Sequence, residues 1–282
     1  MRFFMLCLVL ALSACAGSRT SAHDVARMPA VHAVAPVLLE IPLEREGVVC
    51  PVWWMPHDAA RATLVLFTGG TGALGSNDND AQNDPRRRRA SFLIGRSRDL
   101  FHRAGFNIAM VGRPRDRKDL TREYRTSAEH GRDIRDILLY LKKMAPEELW
   151  LVGTSNGTVS AANAAIVNSD IVDGLVLTSG ITSPMTPYNV PRLDLWKIRA
   201  PTFVLHHSKD ACQSCPPGSA GDILAGLSNA PDKELVFLSG GSDARGRVCG
   251  PLHYHGFINE EEEAVTRIVS WIRARLRTGS SS

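Results

Sequence analysis

The five residues Gly153-Thr154-Ser155-Asn156-Gly157 follow the apolar run Leu149-Trp150-Leu151-Val152 and precede a small-residue stretch from Val159 to Val167. The apolar run reads as a buried strand and the small-residue stretch as a helix, so the serine falls on a sharp strand-to-helix turn. Such a turn lifts the hydroxyl clear of the sheet, and a glycine on either side lets neighbouring backbone pass close by. The five letters alone occur by chance in many chains. Their place between a strand and a helix gives them weight.

The rest of the chain alternates in the same way. Strands are expected over 36–43, 47–54, 62–68, 106–112, 148–153, 171–178, 200–207 and 233–239. Helices are expected over 88–104, 125–144, 156–167, 190–198, 219–228 and 259–276. Ile134, Ile137, Leu138 and Leu141 fall on one face of the helix 125–144. In the last helix Val265, Ile268, Val269 and Ile272 do the same, with Asn259 as the expected cap and Glu260 to Glu263 in the first turn. This alternation predicts an α/β fold, a mostly parallel sheet covered by helices on both faces. A length of 282 residues suits one large domain of that kind.

Serine at such a turn is a weak nucleophile until a neutral imidazole takes its proton and a carboxylate orients that imidazole. Both groups lie downstream. Pro201 to His207 reads as a short buried strand, and Asp210 is in the loop leaving its carboxyl end, where open α/β sheets place their active groups. Asp194 and Asp222 are the alternatives, but both fall in helical or irregular segments. A further strand, Leu235 to Leu238, leads to a loop running through His253-Tyr254-His255-Gly256-Phe257.

Serine, then acid, then histidine is the chain order of the α/β-hydrolases. Over roughly residues 36–276 the sequence resembles a member of that family, of the serine-esterase kind. The resemblance implies an α/β-hydrolase fold in which Ser155, Asp210 and His255 form a catalytic triad, since the family's base commonly sits in a His-Gly-Phe-like stretch before the last helix. His253 points the same way in an extended segment and is the rival base. His206 and His207 are expected to line or flank the site.

The oxyanion donors implied by the resemblance are the backbone N–H of Asn156 and one from the loop Thr68-Gly69-Gly70-Thr71-Gly72. That loop is similar to the family's His-Gly-Gly-Gly stretch with Thr68 in the histidine position, leaving Gly70 or Thr71 as the second donor. A phosphate-cradling loop is excluded, because no Lys-Ser or Lys-Thr follows the glycines. Many lipases and esterases of the family carry a lid after the sixth strand. Here residues 181–200 are too few for a cap domain, and the long polar insertion is 75–98 instead. An accessible small-molecule acyl ester is the expected substrate, with an amide or peptide bond as the alternative and no cofactor or metal. A non-catalytic binding lipoprotein on the same fold is the rival class.

The amino terminus reads as a targeting segment. Arg2 is followed by the apolar stretch Phe3 to Leu12, too short to cross a bilayer as a helix, and then by Leu12-Ser13-Ala14-Cys15. This is similar to a bacterial lipobox, which implies a signal peptide over 1–14, lipidation (palmitate) at Cys15 and a tether over 15–35 before the domain 36–282. The implied location is the cell envelope, on the periplasmic face of the outer membrane where the host has one, because Ala16 rather than Asp follows the cysteine. A monomer is expected. Removing Arg2 with the leader lowers the formal charge from +4 to +3, which implies no nucleic-acid partner. The run Arg86 to Arg89 reads as a solvated helix start, with lipid head groups or an anionic substrate as the functional alternative.

Cys50, Cys212, Cys215 and Cys249 remain besides Cys7 and Cys15. Export favours disulfides over a metal or redox reading of Cys212-x-x-Cys215. A triad brings the acid loop beside the histidine loop, so Cys212–Cys249 is the expected bond, with Cys215 as the alternative partner and Cys50 buried.

Overall fold

A computed structural model describes residues 36–74 and 93–277. The expected leader, Cys15, the tether, the Arg86–Arg89 run and most of the insertion lie outside the described residues.

Eight strands form one sheet: β1 (Val37–Pro42), β2 (Val49–Met55), β3 (Ala62–Phe67), β4 (Asn107–Val111), β5 (Glu148–Thr154), β6 (Gly174–Thr178), β7 (Thr202–His207) and β8 (Lys233–Leu238). Their order is β1-β2-β4-β3-β5-β6-β7-β8. The β1–β2 and β2–β4 pairs are antiparallel, and every pair from β4 to β8 is parallel. Parallel neighbours need crossovers, and the helices that supply them bury both faces of the sheet. β5 shows the consequence. Leu149 and Leu151 face one hydrophobic cluster with Ile134, Ile137, Leu138 and Leu141. Trp150 and Val152 face another, with Leu93, Phe101, Ile268 and Ile272.

The helices are α1 (Leu93–Arg96), α2 (Arg98–Arg103), α3 (Arg122–Arg125), α4 (Ala128–Met144), α5 (Asn156–Val167), α6 (Gly221–Gly226) and α7 (Glu261–Arg273). Several differ from the sequence expectation. The helix expected over 125–144 is α4, which starts three residues later because Ser127 caps it, while a separate short helix, α3, capped by Thr121, ends at Arg125; each cap accepts from the backbone N–H three residues on. Residues 190–198 form only two single-turn 3-10 segments, Val190–Arg192 and Leu195–Lys197. Leu193 between them is extended, at φ −77° and ψ 159°, so the two turns do not join into one helix; Pro191 sits in the first turn of the earlier one, where its missing N–H costs nothing. The helix expected over 219–228 is confined to Gly221–Gly226.

Asn259 does not cap the last helix. It sits at φ 56° and donates its side-chain amide to Ser242 O, while Glu260 occupies the cap position. The Glu260 carboxylate accepts from Gly240 N and pairs with His207 instead of closing the helix end.

Candidate active site

β5 ends at Thr154, and α5 begins at Asn156, so Ser155 alone makes the turn. Its backbone is held at φ 52°, ψ −127°, a conformation that costs a non-glycine residue energy and persists only where the surroundings fix it. Ser155 N donates to Thr178 O on the neighbouring strand, and Ser155 O accepts from both the N–H and the Oγ1 of Thr158. The flanking glycines are sterically required. A Cβ on Gly157 would lie 1.9 Å from Phe67 O, and one on Gly153 would lie 2.5 Å from Gly157 O.

Asp210 follows β7 and His255 lies in a 3-10 turn, Tyr254–Gly256, before α7. The structure brings both to Ser155. Ser155 Oγ–H donates to His255 Nε2 at 3.0 Å, and His255 Nδ1–H donates to Asp210 Oδ2 at 2.8 Å. The other carboxylate oxygen, Oδ1, accepts from Cys212 N at 2.9 Å. Ser155 is 7% exposed, while His255 is fully enclosed. Burial alone would raise the Asp210 pKa, but the hydrogen bonds from His206, His255 and Cys212 N outweigh it and hold the carboxyl below its usual value. The group is a carboxylate across the neutral range.

His253 is not brought to the serine. It precedes the turn, with its ring edge-on to Tyr254 at 5.4 Å. Asp194 is exposed and paired with Lys197, and Asp222 lies in α6. His206 and His207 do more than flank the site. Both are fully buried, His206 within 3.5 Å of Asp210 and bonded to Cys215 O, and His207 paired with Glu260 and stacked on Tyr254. Burial lowers the His207 pKa despite Glu260.

Nothing in the residue pattern pointed to Ser179 or Arg96. Ser179, held at φ 46° after β6, donates its hydroxyl to His255 O at 2.8 Å. Arg96, half-buried with its side chain largely enclosed, donates to Pro251 O, Gly256 O and Glu261, which ties the histidine loop to the helical layer. Only a pattern linking distant segments exposes such contacts.

Gly70 and Asn156 meet: the Asn156 side-chain amide donates to Gly70 O at 3.1 Å. Gly70 is at φ 58°, and Leu120 N donates to Thr71 O, so two successive carbonyls of this loop are tied down. Among the described residues, neither Asn156 N–H nor Thr71 N–H has a backbone acceptor.

Cys212 and Cys249 form a disulfide across a sequence separation of 37, while Cys215 is a free, buried thiol and Cys50 is buried on β2. Burial, then the nearby Asp210 carboxylate, raises the Cys215 pKa, so it stands as a thiol. Donor atoms of Cys212, Cys215 and His255 lie within 4.8 Å of one another, but Cys212 is committed to its disulfide and both His255 nitrogens are engaged. The bond joins the acid loop to the histidine loop. Its chain-entropy contribution is ~4 kcal/mol. Cys249→Ser, or a reductant reaching the exposed Cys249, should therefore lower both Tm and kcat. Cys50→Ser, on β2 far along the sheet from β7, should leave kcat unchanged. Thermal melts and ester turnover on the same samples measure both.

No protein-family model matches the chain, and no curated protein sequence matches it. Solved structures do. A CIB-like hydrolase from Thermoplasma acidophilum superposes with TM-score 0.53 at 18% identity, over 85% of this chain and 100% of that one. An α/β serine hydrolase without lid from Xanthomonas campestris gives 0.54 at 15% identity, over 87% and 96%. A soluble variant of the Saccharomyces cerevisiae monoglyceride lipase gives 0.56 at 14%, over 88% and 98%. At such identities the likeness is one of fold. The chain has the α/β-hydrolase fold.

Proposed function

We propose that the protein is a serine hydrolase of carboxylic esters that works through an acyl-enzyme. The observation that carries this reading is the continuous chain from Ser155 Oγ through His255 to Asp210, at 3.0 and 2.8 Å, on a strained turn at the end of β5. With Asp210 ionised and accepting from Nδ1–H, His255 Nε2 is free to take the serine proton as Oγ attacks the substrate carbonyl. The backbone N–H groups of Asn156 and of Gly70 or Thr71 receive the developing oxyanion. His255 then returns the proton to the leaving alcohol, and water resolves the acyl-enzyme by the same path in reverse.

The three neighbours named above are described as a hydrolase, a serine hydrolase and a monoglyceride lipase, which agrees with this chemistry. Residues 181–200 hold only two single-turn 3-10 segments, and the Xanthomonas neighbour is described as lacking a lid. An accessible ester of modest acyl length fits that surface.

The test is labelling of the folded protein by a fluorophosphonate, followed by turnover on p-nitrophenyl esters of increasing chain length and on the matching anilides. Labelling at Ser155 with ester turnover supports the reading. Preference for anilides moves it to amide hydrolysis, and absence of labelling favours a binding protein on the same fold.

Lipid attachment at Cys15 is part of the proposal. The full chain expressed in a bacterium should take up labelled palmitate and sediment with membranes. Cys15→Ala should abolish both while the soluble domain keeps its ester turnover. Unlabelled wild-type protein in the soluble fraction would remove the anchor.

A further inference from the structure

One buried cation has no place in the mechanism above. Arg125, at the end of α3, is 1% exposed. Its Nε donates to Leu120 O at 3.0 Å, its Nη1 to Ser160 Oγ at 2.7 Å and its Nη2 to Gly70 O at 3.3 Å. Among the described residues it makes no ion pair with a carboxylate. Ser160 Oγ also contacts the fully buried His130 at 2.9 Å, and burial, then Arg125 itself, keeps that imidazole neutral. A guanidinium in such a place is costly to bury, because nothing of opposite charge repays its lost hydration. The burial pushes its pKa down accordingly.

We infer that Arg125 is a positioning residue for the oxyanion site, holding the Gly70–Thr71 peptide and polarising it toward a developing negative charge. This rests on the serine-hydrolase reading. In a planar trans peptide the C=O and N–H are antiparallel, so fixing Gly70 O fixes the direction of Thr71 N–H. A cation on the carbonyl draws electron density through the amide and strengthens the N–H on its other side as a donor, the cooperative effect of linked hydrogen bonds. Asn156 Nδ2 binds the same carbonyl, so the loop is gripped by the residue after the nucleophile and by Arg125 together. Gly72 makes room for this grip: a Cβ there would lie 3.0 Å from Arg125 Nη2 and 2.6 Å from Leu120 Cδ1. The cap at Thr121 starts α3, which carries Arg125 in its last position, and the cap at Ser127 restarts the chain as α4, which delivers the guanidinium to the loop.

The test compares Arg125→Met, Arg125→Lys and Ser160→Ala with wild type on p-nitrophenyl butyrate and on phenylboronic acid, a tetrahedral adduct-former at Ser155. Arg125→Met should lower kcat by about 10- to 100-fold with KM within about threefold, somewhat less than direct loss of an oxyanion donor. Its affinity for the boronic acid should fall in parallel with kcat, which a change in packing alone would not produce. Arg125→Lys should recover part of both losses, since an ammonium still donates to Gly70 O. Ser160→Ala, which removes one of three anchors, should show a smaller loss of the same kind.

Wild-type kcat and boronic-acid affinity in Arg125→Met, or a rise in KM alone, would overturn the inference. Should Arg125→Met fail to fold, as judged by circular dichroism, wild-type values in both Arg125→Lys and Ser160→Ala would overturn it equally. Failure of wild-type protein to bind the boronic acid or a fluorophosphonate is a different result. It would remove the hydrolase reading itself.

Discussion

Replacing Ser155 with alanine should lower kcat on p-nitrophenyl esters by on the order of 10⁴–10⁶ while leaving the fold intact. The hydroxyl is a small part of a turn fixed by backbone bonds, from Ser155 N to Thr178 O and from Thr158 to Ser155 O, so its loss should not release the backbone. His255→Ala should cost a comparable amount, because members of the proposed triad would act as a unit. His253→Ala should stay near wild-type turnover, since its ring packs on Tyr254 rather than on the serine. Near-normal turnover in Ser155→Ala would sink the mechanism, and a His253→Ala loss equal to that of His255→Ala would reassign the base. Circular dichroism on each variant separates loss of chemistry from loss of fold.

Asp210→Asn should lower kcat by roughly 10⁴ through the wrong histidine tautomer. Cys212 N donates to Oδ1, so an asparagine amide here must turn its oxygen toward Cys212 and its NH₂ toward His255. His255 Nδ1 then becomes an acceptor, and the ring proton moves to Nε2, where it blocks receipt of the serine proton. The same substitution should alter the response to acid. Asp210 has a folded pKa below its unfolded value of 3.8, so its contribution to stability is complete above that value and is lost as pH falls through the folded pKa. Wild-type Tm should therefore drop more steeply on acidification below about pH 4 than that of Asp210→Asn. Equal slopes would mean that other carboxylates dominate the acid limb, and unchanged kcat would remove Asp210 from the proposed triad.

The strand–turn–helix around Ser155 was legible in the sequence because everything it needs is local. Buried apolar residues make β5, glycines at 153 and 157 permit the close approaches, and small residues make the face of α5 that packs on the sheet. The acid at the end of β7 was legible for a related reason: a parallel sheet collects the carboxyl ends of its strands at one edge. The short helices were not. Thr121 and Ser127 each offer the backbone an alternative to a continuous helix, and whether the chain takes it depends on what the next segment packs against.

Only the tertiary structure separated His255 from His253, because the 3-10 turn through Tyr254–Gly256 rotates the two rings apart where an extended chain would have aligned them. It alone left Cys215 free beside the Cys212–Cys249 bond, and it alone set Arg96 and Arg125 against the carbonyls of the His255 loop and of the Gly70 loop after β3. The reason is separation along the chain. His255 meets Ser155 across 100 residues and Arg125 meets Gly70 across 55, distances over which side-chain patterning carries no register until the sheet has fixed the frame.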